Sequence, residues 1–374
     1  MARRSTSLNT ASAIFLLSAF IICSKAKGEV GDPKPTYEDF CQQHGLPERE
    51  DTVRIFDSFM FNTELDMLEV RLTELYDVVD FFVIGESRRT MQDRPKPLYY
   101  AENAARFERF ADKILHVPLD TDAEDKVANR LWLQKVKKQN GTHIDLKMKR
   151  YGPLDEPFYR EWWQREQLFE RGLGEARRGD LFVLGDVDEI PRPAALRALR
   201  RCRFEAAHNC AAMESDMFYY SYSLYSGVWK AGPKVVPYLG EDTLGGMDQD
   251  AARWESECSL SLPRAATHCS SCFGAIEDFQ NKMASFAHWQ LNIAAFTDPA
   301  MIVGRVTKGI SLLGKESDLT VVPYCDHAPQ AVLDNPGRFH YLLARDPDTG
   351  SFSDYEQQFF GGKQGKKKPG KVTE

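Results

Sequence analysis

Asp186, Asp188 and Glu189 fall together in the run LFVLGDVDEIPRP, just past an apolar stretch. Carboxylates this close repel one another unless a proton or a cation shares their site. In an extended segment, aspartates at i and i+2 project to the same side. Such a pair suits a hard divalent cation, Mn or Mg, whose remaining positions go to water or phosphate oxygens. A cation held there would neutralise charge growing on a departing diphosphate, which explains the cluster if the substrate is a nucleotide diphosphate sugar. A D-x-D triplet also occurs in solvated turns and helix caps. What singles this one out is the apolar strand before it and Pro191 and Pro193 behind it.

The elements that must carry these acids follow from the hydrophobic pattern. VRIFDSFMF predicts a first strand, with Asn62 or Thr63 capping a helix in which Leu65, Leu68, Leu72 and Leu75 recur at helical spacing. VVDFFVIGES reads as a strand buried on both faces. A helix near 102–112, the strand KILHVPL and a helix near 160–178 lead into the strand that ends at the acids. This alternation predicts one large α/β domain, its sheet largely parallel and covered by helices on both faces. Ligands of such sheets bind beyond the carboxyl ends of the strands, where Asp186 and Asp188 stand. Residues 134–157 read as an exposed insertion, and beyond 205 the chain turns to aromatics and short β-like runs.

With 374 residues, 43% of them hydrophobic, the chain can bury a substantial core. A net charge of −7 argues against a nucleic-acid partner, and the basic run KKKPGK reads as a solvated tail. Arg3 and Arg4 precede the apolar run Ala11–Cys23, the pattern of a signal peptide or a short membrane anchor, with the bulk of the chain in the secretory lumen. The expected organisation is an anchor or signal over 1–27, a stem over 28–52, a folded domain over 53–345 and a polar tail over 346–374. Seven cysteines follow the apolar run, and in an oxidising lumen disulfides are the default, the odd count leaving a thiol free or paired between chains. Asn140-Gly141-Thr142 is a glycosylation sequon in a polar segment.

GDVDEIPRP, together with FDSFMFNTELDMLEVRLTELYDVVDFFVIGES, KPLYYAEN, RFERFADKILHV and HCSSCF in this order, resembles glycosyltransferase family 17 over about residues 53–345. The resemblance implies a GT-A-like fold, a type II Golgi membrane protein with a luminal catalytic domain, and UDP-GlcNAc as donor. It further implies transfer, with inversion, to a β-linked mannose of an N-glycan core, the bisecting type. Asp186 and Asp188 match the motif that would hold Mn or Mg and, through it, the diphosphate. Glu189 either supports the site from behind or caps the next helix. Glu86 follows a strand end where nucleotides commonly sit, or is a solvated loop carboxylate. Arg165 contacts phosphate or pairs with Glu166.

His268, in HCSSCF, completes a metal shell or packs as an ordinary hydrogen-bonded histidine, and His288 shares that ambiguity. Cys269 and Cys272 suggest a structural disulfide ahead of zinc. Inverting transfer needs a base within reach of the acceptor hydroxyl. Asp248, Asp250, Glu277 and Asp278 are candidates, and Asp278 is the chosen one because it follows HCSSCF outside the donor half. Phe218, Tyr219, Tyr220, Tyr222, Tyr225 and Trp229 form a strand core or a sugar platform. Competing classes are a metal-independent glycoside hydrolase using the same two aspartates, and a carbohydrate-binding protein without turnover.

Overall fold

A computed structural model describes residues 35–119, 156–172, 174–204, 210–240, 242–243, 252–253 and 257–361. The apolar run 11–23, the sequon at Asn140, nearly all of the expected insertion, and Asp248 and Asp250 lie outside the described residues. Among the described residues no helix is long and apolar enough to cross a membrane.

In chain order the main elements are β1 (Ile55–Phe61), α1 (Leu65–Leu75), β2 (Phe81–Ser87), β3 (Ile114–Leu119), α2 (Glu156–Gly172), β4 (Leu181–Leu184), β5 (Glu189–Pro191), α3 (Pro193–Arg201), β6 (Ala211–Tyr219), β7 (Leu224–Trp229), β8 (Lys234–Pro237), β9 (Leu260–Ser270), α4 (Ile276–Ser285), α5 (Pro299–Lys308) and β10 (Thr320–Val321). The sheet runs β10-β7-β6-β8-β4-β1-β2-β3, with β9 on β6 and β5 on β9. β4, β1, β2 and β3 are mutually parallel. β8, β7 and β10 join antiparallel, while β9 lies parallel to β6. The result is a mixed α/β, GT-A-like sheet, with four mutually parallel strands in the half where strands and helices alternate and one further parallel pair, β6 with β9, beyond it.

Alternation along the central strands builds a core on each face. Ile55, Phe59, Leu181 and Val183 join Leu68 and Leu72 of α1 and Leu196 and Leu199 of α3. Their neighbours Phe56, Val83, Phe182 and Leu184 pack with Trp163 and Leu168 of α2 on the other side. Both faces are therefore covered, which is why these strands read as continuous apolar runs.

Some local expectations change. Asn62 and Thr63 do not cap α1. The helix begins after Glu64, and the Asn62 amide instead donates to Ser285 Oγ at 2.5 Å. The helix expected near 102–112 is a short turn of α-helix at Tyr99–Glu102 followed by a 3-10 stretch, Ala104–Phe110. The folded unit is also wider than 53–345. Phe40 and Cys41 are buried and Cys41 is bonded to Cys202, while Phe352 is buried and the Asp354 carboxylate accepts the Ile276 N–H at 2.8 Å, at the start of α4. Cys210–Cys258 and Cys269–Cys272 form two more disulfides, and Cys325 is disulfide-bonded as well. No thiol is free among the described residues, so the odd count does not leave one of these seven free as expected.

Helix α2 lies close against the sheet because two glycines admit it. A Cβ on Gly85 would stand 2.4 Å from Leu168 Cδ2, and one on Gly172 would stand 2.3 Å from Val83 Cγ1. Gly85→Val is expected to cost about 1–3 kcal/mol by overpacking. Urea denaturation measures this, and an unchanged midpoint would show that the helix rides on the sheet more loosely than these contacts imply.

Candidate active site

Beyond Leu184 the chain does not continue extended through the acids. It turns, with the Glu189 N–H donating to the Asp186 carbonyl at 2.9 Å, before β5 begins. The two aspartates therefore do not sit side by side on a strand as their spacing alone suggests. The cause is Arg71 of α1, fully buried. Its Nε and Nη2 make a fork with the Asp57 carboxylate at 2.7 and 2.6 Å, while Nη1 donates to the carbonyls of Asp186 at 2.8 Å and Glu189 at 2.6 Å. Gathering two carbonyls onto one guanidinium curls the segment and sends its side chains to separate partners.

Asp186 keeps a third of its side chain exposed and accepts from Arg165 at 3.0 Å and Arg253 at 2.9 Å. Burial alone would raise its pKa, but these guanidiniums hold it below the usual carboxylate range. Asp188 is mostly buried and faces Lys282 of α4 at 3.2 Å and His268 Nε2 of β9 at 3.6 Å. Burial again opposes its charge, and Lys282 and His268 together depress its pKa strongly. Burial pushes His268 and Lys282 down, yet the Asp188 carboxylate lifts both above their ordinary values. Glu189, opposite His268 in the β5/β9 register, accepts from Arg253 at 2.7 Å and from the Asp186 N–H at 3.1 Å.

The structure thus unites Asp186, Asp188, Glu189, Arg165 and His268. Glu189 supports the loop and does not cap α3, whose N-cap is Arg192. Arg165 pairs with Glu161 at 2.6 Å, since i and i+4 share a helix face, and with Asp186. Glu86 stands at the end of β2 but is fully buried, accepting the Tyr100 N–H at 2.9 Å and contacting His116 at 3.2 Å, so its role is local support. His288 packs on Phe158 and Phe286, with ring centroids 5.0 and 5.6 Å away. Phe218, Tyr220 and Tyr222 are core residues, whereas Trp229 and His268 meet in a T-shaped contact with centroids 5.9 Å apart. Arg71, Arg253 and Lys282 escaped sequence reasoning, since arginine and lysine at such distances carry no spacing signal.

Asp278 lies on α4 one turn before Lys282, so both look out from one face of the helix. Burial, with the carboxylates of Asp66, Glu277, Asp354 and Glu64, pushes its pKa up to about 6. Among the described residues no three His, Cys, Asp or Glu side chains cage an ion by themselves. The donor set fits a Mg- or Mn-type ion all the same. Such ions take one or two carboxylates and leave the rest to water and phosphate, and the Lys282 ammonium beside Asp188 already stands in for a cation.

A mixed sheet with helices on both faces, and an acidic loop beyond the carboxyl end of β4, makes this an α/β chain of the GT-A-like class. The profile described as Glycosyltransferase family 17 matches residues 32–152 and 135–346, and the chain belongs to that family. It is 27% identical over 342 residues to the human beta-1,4-mannosyl-glycoprotein 4-beta-N-acetylglucosaminyltransferase, covering 82% of this chain and 58% of that protein. The rat and mouse proteins of the same name are 29% and 28% identical over 157 residues, 41% of this chain and 25% of each relative. The chain thus spans little more than half the length of the human relative.

Arg71→Met is expected to destabilise the fold by about 3–5 kcal/mol, because it strands the buried Asp57 charge. The double variant Arg71→Met/Asp57→Leu should recover much of that loss, yet the Glu189 amide should still exchange faster than in the parent. Full protection of that amide in the double variant would show that the loop holds its shape without the guanidinium.

Proposed function

We propose that the chain is an inverting glycosyltransferase that moves N-acetylglucosamine from UDP-GlcNAc to a β-linked mannose of an N-glycan core. The observation that carries this reading is the Asp186/Asp188 pair, set beyond the carboxyl ends of the parallel strands and ringed by Arg165, Arg253 and Lys282. The names of the family 17 relatives supply the sugar and the mannosyl acceptor. Asp188 and Asp186, with His268 beside them, would hold Mn or Mg, which when bound neutralises the leaving diphosphate. The chain's own arginines and lysine add fixed positive charge to the same place. Opposite the leaving group, the acceptor hydroxyl attacks the anomeric carbon, giving inversion, and its proton passes to the Asp278 carboxylate. Disulfides suit a secretory compartment, and the apolar run at 11–23 is the proposed means of membrane attachment or secretion.

The hydrolase alternative needs one carboxyl kept protonated as an acid. Both aspartates are instead paired with cations that keep them ionised, which favours the transferase. Transfer from UDP-GlcNAc to a core N-glycan, measured with and without chelator, tests the reading. Asp188→Asn is expected to lower kcat by about a hundredfold or more, as loss of preorganised charge stabilisation does. Full activity in chelator, or an unimpaired variant, would sink it.

Asp278 offers an independent check. As a base it must be ionised, so kcat should rise with pH through about 6. Its raised pKa also means that folding loses stability as pH climbs from about 4, the unfolded value, to about 6. Asp278→Asn should therefore raise the melting temperature at pH values above that window, match the parent below it, and lower kcat by about 100-fold or more. A variant with ordinary turnover would remove Asp278 from the reaction.

A further inference from the structure

The three cations around the acids are not equivalent. Arg165 holds Asp186 and also Glu161, and Arg253 holds Asp186 and also Glu189, so each guanidinium is fixed from two sides. Lys282 forms its ion pair with Asp188 alone among the described residues. Its base is rigid nonetheless. The Asp354 carboxylate receives the Ile276 and Glu277 N–H groups at 2.8 and 3.1 Å, Asn62 donates to Ser285 Oγ at 2.5 Å, and the Gln92 amide donates to the carbonyls of Met283 and Phe286 at 2.8 and 3.1 Å. A four-carbon stem on a fixed helix can swing its ammonium between neighbouring oxygens, which a forked and doubly held guanidinium cannot.

Charge balance gives that freedom a use. Four carboxylates, Asp186, Asp188, Glu189 and Glu161, face Arg165, Arg253 and Lys282, with the His268 ring beside Asp188, so resident cations already offset most of the acidic charge before anything binds. A divalent ion arriving alone would add charge beside the ammonium and meet repulsion. Arriving with a diphosphate it adds little net charge, provided that one resident cation moves onto the phosphate oxygens. Building on the transferase reading, we propose that Lys282 is this exchangeable cation: it neutralises Asp188 while the donor site is vacant and turns to the diphosphate when donor enters, freeing Asp188 for the divalent ion. Lys282 is thereby a donor-binding residue, and it makes metal and nucleotide bind together in preference to separately.

Calorimetry on the full chain with MnCl2 and with UDP tests this. In the parent each ligand should tighten the other about fivefold or more, the low end of ordinary coupling. Lys282→Met should bind Mn alone about tenfold more tightly yet bind UDP with Mn about tenfold more weakly, and Lys282→Arg should retain UDP affinity within about threefold. A change of opposite sign for the two ligands cannot come from misfolding, and Lys282→Gln gives the same readout with a polar stem. If the parent binds both ligands without synergy, or the neutral variants leave Mn affinity unchanged or lower, the exchange is overturned while the transferase reading stands. A parent that binds neither overturns both.

Discussion

The acid-bearing loop has its shape because a guanidinium is buried behind it. Arg71 is sealed in the core and would be intolerable there without the Asp57 fork and the carbonyls that accept from its Nη1. Its position over the Phe59 ring, 4.6 Å from the centroid, adds a further attraction. A buried pair of this kind is a poor source of net stability compared with apolar side chains of equal volume. Its return is geometric, since two carbonyls drawn to one nitrogen leave the loop a single conformation.

From that curl follows the division of labour among the acids. Glu189 turns inward and accepts from Arg253 and the loop's own amide, Asp186 looks outward between two arginines, and Asp188 points across to β9 and α4. The Cys269–Cys272 disulfide closes the turn after His268, and the Cys269 N–H donates to the Asp188 carbonyl at 3.1 Å. The HCSSCF segment thus serves as a buttress for the acidic loop, and its sulfurs are engaged with each other.

Much of this was legible in the residues. Continuous apolar runs announced β1, β2 and β4, because strands covered on both faces need no polar alternation, and the D-x-D spacing together with flanking prolines drew attention to the acidic loop after β4. The loop's curl was not legible, because it depends on Arg71, some 115 residues earlier in the chain, and nothing in a single sequence distinguishes a buried arginine from a solvated one. Arg253 and Lys282 were hidden for the same reason. Asn62 misled as a helix cap because its side chain found a partner, Ser285, that local propensity does not anticipate. The edges of the domain were drawn too tightly since polar, proline-rich segments such as that around Phe40 look like linkers until a disulfide ties them down.

The two halves of the sheet carry unequal constraints. In the parallel half, strand ends deliver side chains to one edge, the position where sheets of this kind commonly bind ligands. The antiparallel half contributes His268 and, through the helix that follows β9, Lys282 and Asp278. These reach the acids only because β9 pairs with β5 and sets His268 opposite Glu189. Asp278 sits among like charges that oppose its ionisation, a position that weakens the fold at neutral pH. A stability cost concentrated on one carboxylate, one helical turn from the lysine that touches the acidic loop, fits the role of proton acceptor proposed for Asp278.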